Sequence, residues 1–229
     1  MDHKEFYKTE IEGRTAREIK ATVKRLHSMI DVLKRKMEHP DYLGDGREYT
    51  EDIMRIEELR ASINGAKRVL AKRGVRYRPT ATEKRAKEFD EALEDATRIT
   101  LTYTFLNGNT VSTFSVSLDG GVSFRAVVPK SGEPEMKEHK SSMEKADLLA
   151  MLSELHIGEW EKFYDNSRYG IMIVDGVVWT LTIEYKDKKR RFTSGGTNAC
   201  PYNFRDLENL LGVDAYYAED EGEDLSEED

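Results

Sequence analysis

The sequence predicts an α+β protein: an N-terminal antiparallel helical hairpin followed by antiparallel β-meanders with packed helices. Three observations carry that prediction. Apolar residues recur with heptad spacing through two early segments, the period changes to two after residue 98, and turn signals separate the alternating runs.

The first seam reads Ala16, Ile19, Val23, Leu26, Ile30, Leu33 and Met37, in steps of three and four. His39-Pro40 ends it, because the residue before proline is pushed out of the helical region. Asp41 to Arg47, with Gly44 and Gly46, reads as a loop. A second helix is expected from near Thr50, with Glu51 and Asp52 at the positive end of its dipole. Its seam is Ile53, Ile56, Leu59, Ile63, Ala66 and Leu70. Lys72 and Arg73 suit the negative end, and Gly74 suits the left-handed residue beyond it. Two seams joined by a short loop make the hairpin. A third helix opens at the Thr80/Glu83 pair, with Ala86, Phe89, Leu93 and Ala96 on one face.

Alternation then takes over. Ile99, Leu101, Tyr103 and Phe105 interleave with threonines, and Asn107-Gly108 is a hairpin signal. Ser112 to Leu118 returns, Asp119-Gly120-Gly121 turns, and a third strand covers Val122 to Val128. Pro129 to Lys140 reads as a polar loop. Ser141 and Glu144 suggest a capping box for a helix with Met143, Ala146, Leu149, Ala150, Leu152 and Leu155 on its face. Gly158 breaks it, and Trp160 to Tyr164 adds a turn. A second meander is expected from Tyr169, Ile171 and Ile173, through Asp175-Gly176, along Val177 to Tyr185, and back through Phe192. Pro201 opens a last helix with Phe204, Leu207, Leu210 and Leu211 buried, and Gly212 stops it. The expected organisation is therefore a basic, coiled-coil-like hairpin over 1–79 and an α+β domain over 80–213. That domain runs helix, three strands, helix, three strands, helix. An acidic tail over 214–229, expected to be disordered, completes the chain.

Charge is segregated along the chain. The 229 residues carry 44 acids and 36 bases. Nine of the acids lie between Asp214 and Asp229, which leaves 35 acids against 36 bases in the body. From Leu59 to Thr82 there are seven bases and no acid. Such polarity points to an anionic partner. Lys67, Arg68, Lys72, Arg73, Arg76, Tyr77 and Arg78 are the candidate partner- or nucleic-acid-binding residues. The cations would meet phosphates, and Tyr77 between two arginines would stack on a base. Lys20, Lys24, Arg25, Lys34, Arg35 and Lys36 add charge to the first helix.

The segment Asp175-Gly176-Val-Val-Trp179-Thr-Leu181-Thr-Ile183, followed by Gly196-Thr-Asn198-Ala199-Cys-Pro201-Tyr-Asn203-Phe204, forms a pattern. It resembles a C-terminal region recurrent in small uncharacterised proteins of gut bacteria and their mobile elements. The shared elements are a D-G turn, a W-x-L-x-I strand and a G-x-N-A-x-P-x-N-[FW] entry into a helix. The resemblance implies a phage or mobile-element origin, a setting rich in inhibitors of host defence. It transfers no activity.

Catalytic constellations are weak. His3, His27, His39, His139 and His156 are scattered without ligand spacing, so neither a metal nor another cofactor is expected. Cys200, the only cysteine, precedes Pro201 at a candidate helix start, where a thiolate would be favoured. Its bland reading is a small residue filling a turn. Gly195-Gly196-Thr197-Asn198 lacks the lysine of a phosphate-binding loop and reads as a tight turn with Asn198 capping. Asp175 and Glu184 lack a visible cleft, and Trp160 and Trp179 read as core. No apolar run approaches the ~18 residues that span a bilayer, and the N-terminus lacks a signal-peptide core. A cytoplasmic protein of a bacterial host, away from membranes, is expected. The function expected is a non-enzymatic interaction protein with a protein or ribonucleoprotein partner, acting like an anti-CRISPR inhibitor by occlusion. Direct DNA or RNA binding through the hairpin, a cysteine-dependent enzyme, and self-association through the seams are the alternatives.

Overall fold

Heptad seams bury when two helices lie side by side, and the first 80 residues do this. The fold is that of a computed structural model, which describes residues 6–42, 44–105, 111–130, 133–172, 176–214 and 216–217. The Asn107-Gly108 turn, Ile173, Asp175 and the tail beyond 217 lie outside the described residues. The chain divides into two units, Met1–Thr80 and Ala81–Asp229.

In the first unit a π-turn over Tyr7–Ile11 leads to α1, Ala16–Met37. Thr15 and Glu18 form a capping box that pattern reading overlooked: the Thr15 hydroxyl accepts from Glu18 N at 3.3 Å, and Thr15 N donates to the Glu18 carboxylate at 2.7 Å. Helix α2 covers Gly46–Lys72 and starts earlier than the expected Thr50. Asp45 caps it, accepting from Arg47 N at 3.0 Å and Glu48 N at 2.8 Å. A cap worth about 1 kcal/mol outweighs one glycine at a helix start. Ile19, Val23, Leu26, Ile30 and Met37 are buried on α1, as are Ile56, Leu59, Ile63, Ala66 and Leu70 on α2. The two helices pack along each other.

The second unit starts with α3, Ala81–Leu93. Ala96, expected on its face, instead begins strand β1, Ala96–Phe105. The strands that follow are β2 (Val111–Ser117), β3 (Ser123–Val128) and β4 (Glu135–Lys140). The expected loop before Lys140 thus contains a fourth strand. Its residues are mostly charged and exposed, so it shows no apolar alternation and is held by ladder bonds to β3. Helix α4, Lys145–Glu154, begins after Glu144, whose side chain makes no capping bond; Ser141 Oγ instead accepts from Met143 N at 3.1 Å. Leu148 and Leu152 form its buried face, while Ala146 and Ala150 are exposed. Strand β5, Phe163–Asp165, replaces the expected turn, and Asn166–Tyr169 is a 3-10 turn rather than a strand. Strands β6 (Val177–Tyr185) and β7 (Arg191–Thr197) follow, then α5, Phe204–Leu210, which starts three residues after Pro201.

All seven strands share one sheet in the order β4-β3-β2-β1-β6-β7-β5. The two halves join through antiparallel β1 and β6, with Ile99 opposite Ile183 and Leu101 opposite Leu181. Only β5 and β7 are parallel. Residues alternate between faces. Ile99, Leu101, Phe114, Val116, Leu181 and Ile183 form the core face with Phe89, Leu148, Leu152 and Leu207 from the helices. Each such side chain contributes about 1.5–3 kcal/mol when fully buried.

The chain beyond β6 closes this core. Trp179 Nε1 donates to Ala199 O at 2.8 Å, and Trp160 Nε1 donates to Asn203 Oδ1 at 3.1 Å. Strand β7 runs past Phe192 because Gly195 and Gly196 continue it. A Cβ on Gly196 would lie 2.4 Å from Ala199 O and 2.7 Å from Trp179 Nε1. Gly196→Ala is therefore expected to destabilise by about 3 kcal/mol, read as a lowered urea midpoint at unchanged slope.

One polar pair sits beside the core. Tyr103 donates its hydroxyl to Glu208 at 2.5 Å. Burial raises the Glu208 carboxyl above its ordinary value of 4.5, against the opposing pull of the Tyr103 bond. A raised folded value means that the carboxyl's contribution is full below pH 4.5 and is lost as pH rises through the folded value. Unfolding midpoints across that window should fall more steeply for the wild type than for Glu208→Gln; parallel profiles would contradict this assignment.

Candidate anionic-partner interface

Helix α2 ends in cations. Lys72 closes its last turn, Arg73 caps it, and Gly74 takes φ +69°. Gly74 N donates to Ala71 O at 2.9 Å and Val75 N to Leu70 O at 2.9 Å, which satisfies the last carbonyls. The connector then carries Arg76, Tyr77 and Arg78 away from the helix.

The expected site residues divide by environment. Arg68, Lys72, Arg73, Arg76 and Arg78 are exposed. None of the five pairs with a carboxylate among the described residues. Arg73 Nη1 donates to Arg14 O at 2.6 Å, tying the end of α2 to the segment before α1. Arg68 Nε donates weakly to Asn64 O at 3.4 Å. Lys67 and Tyr77 are half-buried, and the Lys67 ammonium sits 5.0 Å from the Tyr77 ring centre. That cation–π contact occupies the ring expected to stack on a base.

Other cations are neutralised within the hairpin. Arg60, inside the acid-free run, is buried and pairs with Glu57 at 2.9 Å. Arg25 meets Glu10 at 2.8 Å. Lys36 bridges Glu48 at 2.9 Å and Asp52 at 2.7 Å, and Asp52, then Glu48, raise its pKa. The charge of α1 is thus consumed near the Asp41–Asp45 loop but not near its start. Arg17, Lys20 and Lys24 are exposed and make no ion pair among the described residues. Antiparallel packing sets the first half of α1 beside the second half of α2, so these three extend the same cationic end. Arg17 was not singled out from the sequence; hairpin geometry is the signal that would have found it. Most seam positions are buried within the hairpin, while Leu33 and Ile53 are half-buried and the neighbouring Val32 and Met54 are exposed.

Burial pushes the Cys200 thiol up to about 12, assisted by the nearby Glu208 charge, the opposite of an activated thiolate. Among the described residues no cluster of three or more metal-ligating side chains occurs. Gly195 and Gly196 allow close packing rather than a phosphate cradle, and Asn198, at φ +52°, accepts from Val177 N at 2.8 Å. Glu184 pairs with Arg191 at 3.2 Å. Trp160 and Trp179 are buried. No helix among the described residues is long and apolar enough to cross a membrane.

No protein-family model matches the chain, and no curated protein or solved structure matches it. Within the C-terminal pattern, Trp179 bonds to Ala199 O and its ring lies 4.5 Å from that of Phe204. For Cys200, native thiol labelling at about pH 8 should run at least tenfold slower than for an unhindered cysteine. Rapid labelling of the folded chain would reinstate it as a nucleophile.

Proposed function

We propose that the protein is a non-enzymatic interaction protein whose hairpin docks its cationic end on an anionic surface of a partner. In its most concrete form it is a phage or mobile-element accessory protein, acting in a bacterial cytoplasm, that inhibits a nucleic-acid-containing host machine by occlusion, in the manner of an anti-CRISPR. The observation that carries the docking reading is the set of five exposed cations from Arg68 to Arg78 without a carboxylate partner among the described residues. Exposed cations with no intramolecular pair repel one another, and an anionic partner relieves that repulsion while releasing its own counterions. The phage setting rests on the C-terminal resemblance alone. Occlusion requires no reacting group, in keeping with the raised Cys200 thiol.

Direct nucleic-acid binding is the second reading, favoured by the same cations. It loses the stacking contribution expected of Tyr77, whose ring holds Lys67.

Arg73 is left intact in the test because its bond to Arg14 O supports the hairpin. In a target-cleavage assay with a guide-loaded CRISPR effector, the wild type is expected to suppress cleavage. Arg68→Glu/Lys72→Glu/Arg76→Glu should restore it with the chain still folded, its stability lowered by no more than the ~1 kcal/mol that a cation gains at the negative end of α2. No suppression by the wild type removes the anti-CRISPR form, and suppression by the triple variant equal to the wild type removes the cationic end. A gel-shift salt series on duplex DNA and single-stranded RNA separates the second reading: steeply salt-sensitive binding supports it, and no shift at low salt removes it.

A further inference from the structure

The sheet face opposite the core carries a second cationic feature. Cross-strand pairing places Arg98, Ser117, Ser123 and Lys140 in one row over β1, β2, β3 and β4. The next row on the same face is Thr100, Ser115, Arg125 and Glu138. Neighbours within a row stand about 4.8 Å apart, and the rows about 7 Å apart. A cavity of about 430 Å³ opens over these two rows, bordered by the Gly120-Gly121 turn.

Its three cations, Arg98, Arg125 and Lys140, are exposed, and none makes an ion pair among the described residues; Arg125 Nη2 donates to the Met136 sulfur at 2.9 Å. The Ser115 and Ser117 hydroxyls also have no protein partner among the described residues. Two carboxylates line the cavity, Asp119 and Glu138, and Glu138 accepts from Ser123 Oγ at 3.3 Å. Threonines elsewhere on this face are explained by strand preference, but serine is not among the residues strands favour. The serines gather where the three cations do.

The geometry points to a binding site for a phosphate group borne by a larger molecule. Donors from four strands line one cavity on one face of the sheet, which suits a tetrahedral anion with three or more acceptor oxygens. A planar carboxylate is better matched by a single arginine fork. Serine hydroxyls beside arginine and lysine are the usual partners of phosphate oxygens, and the volume leaves room for the group that carries the phosphate. This inference is independent of hairpin docking.

The test is an amide NMR titration of the full chain, at fixed ionic strength, with inorganic phosphate, a 5′-phosphorylated trinucleotide and a short DNA duplex. Saturable shifts are expected at Ser117, Gly121 and Ser123. Arg98→Gln/Lys140→Gln should weaken binding about tenfold or more at an unchanged unfolding midpoint. Should that variant lose stability, Arg125→Gln, at an exposed strand position, gives the same comparison. The Arg68→Glu/Lys72→Glu/Arg76→Glu chain should bind as the wild type does, so failure of this site and failure of hairpin docking are told apart. Tighter binding of the duplex than of the trinucleotide, lost in the same variants, identifies the source as a nucleic-acid backbone. Equal or tighter binding of the trinucleotide identifies a small phosphoester. Absence of saturable shifts with all three probes, shifts confined to the hairpin, or wild-type affinity in both cavity variants overturns the proposal.

Discussion

Antiparallel pairing of β1 with β6 is the constraint on which the second unit depends. It joins a four-stranded run to a three-stranded one and turns two half-sheets, each with an extra open edge, into one. It also fixes the faces. With Ile99 opposite Ile183 and Leu101 opposite Leu181, Thr100 and Thr102 must lie opposite Thr182 and Thr180. A slip of one residue would send the aliphatic set to solvent and the threonines into the core. Trp179, on β6, adds a second tie: its indole bond to Ala199 O draws the chain after β7 back over the core face. The position of Arg98 beside Ser117 is set separately, by the pairing of β1 with β2.

Elements with a period were legible in the sequence. The seams of α1 and α2, the alternation of β1, β2 and β6, and the glycine stops at Gly74 and Gly212 are each local signals, and the structure carries them. Elements held by pairing alone were not legible. Strand β4 shows no apolar alternation because it is an exposed edge, and β5 is three residues long and pairs in parallel with β7, Phe163 opposite Gly195. The Asp45 cap was hidden between two glycines that read as a loop. The union of the two meanders is a non-local pairing that no window on the sequence contains.

The candidate site was legible as charge and illegible as pairing. Arg60 and Arg76 look alike in an acid-free run. The helix returns Arg60 to Glu57 one turn earlier, whereas Arg76 lies beyond the helix, where no such turn exists. Arg25 and Lys36 find Glu10, Glu48 and Asp52 only because the chain folds back on itself. Neutralisation is therefore partly a tertiary property, and it leaves one end of the hairpin cationic.

Not all of that residual charge calls for a partner. Lys72 and Arg73 sit where a helix end carries about half a negative charge, so the dipole accounts for part of their placement. Arg73 also serves Arg14 O, and Lys67 serves Tyr77. Arg76 and Arg78 have no such account: they lie past the helix, exposed, with no carboxylate partner among the described residues. Their placement costs the fold little, because solvent and salt screen them over about 8 Å. It also contributes little to the fold, so a function in docking rests most heavily on these two arginines. The same reasoning applies on the sheet, where strand preference explains the threonines and leaves the serines beside Arg98, Arg125 and Lys140 to be explained by what they bind.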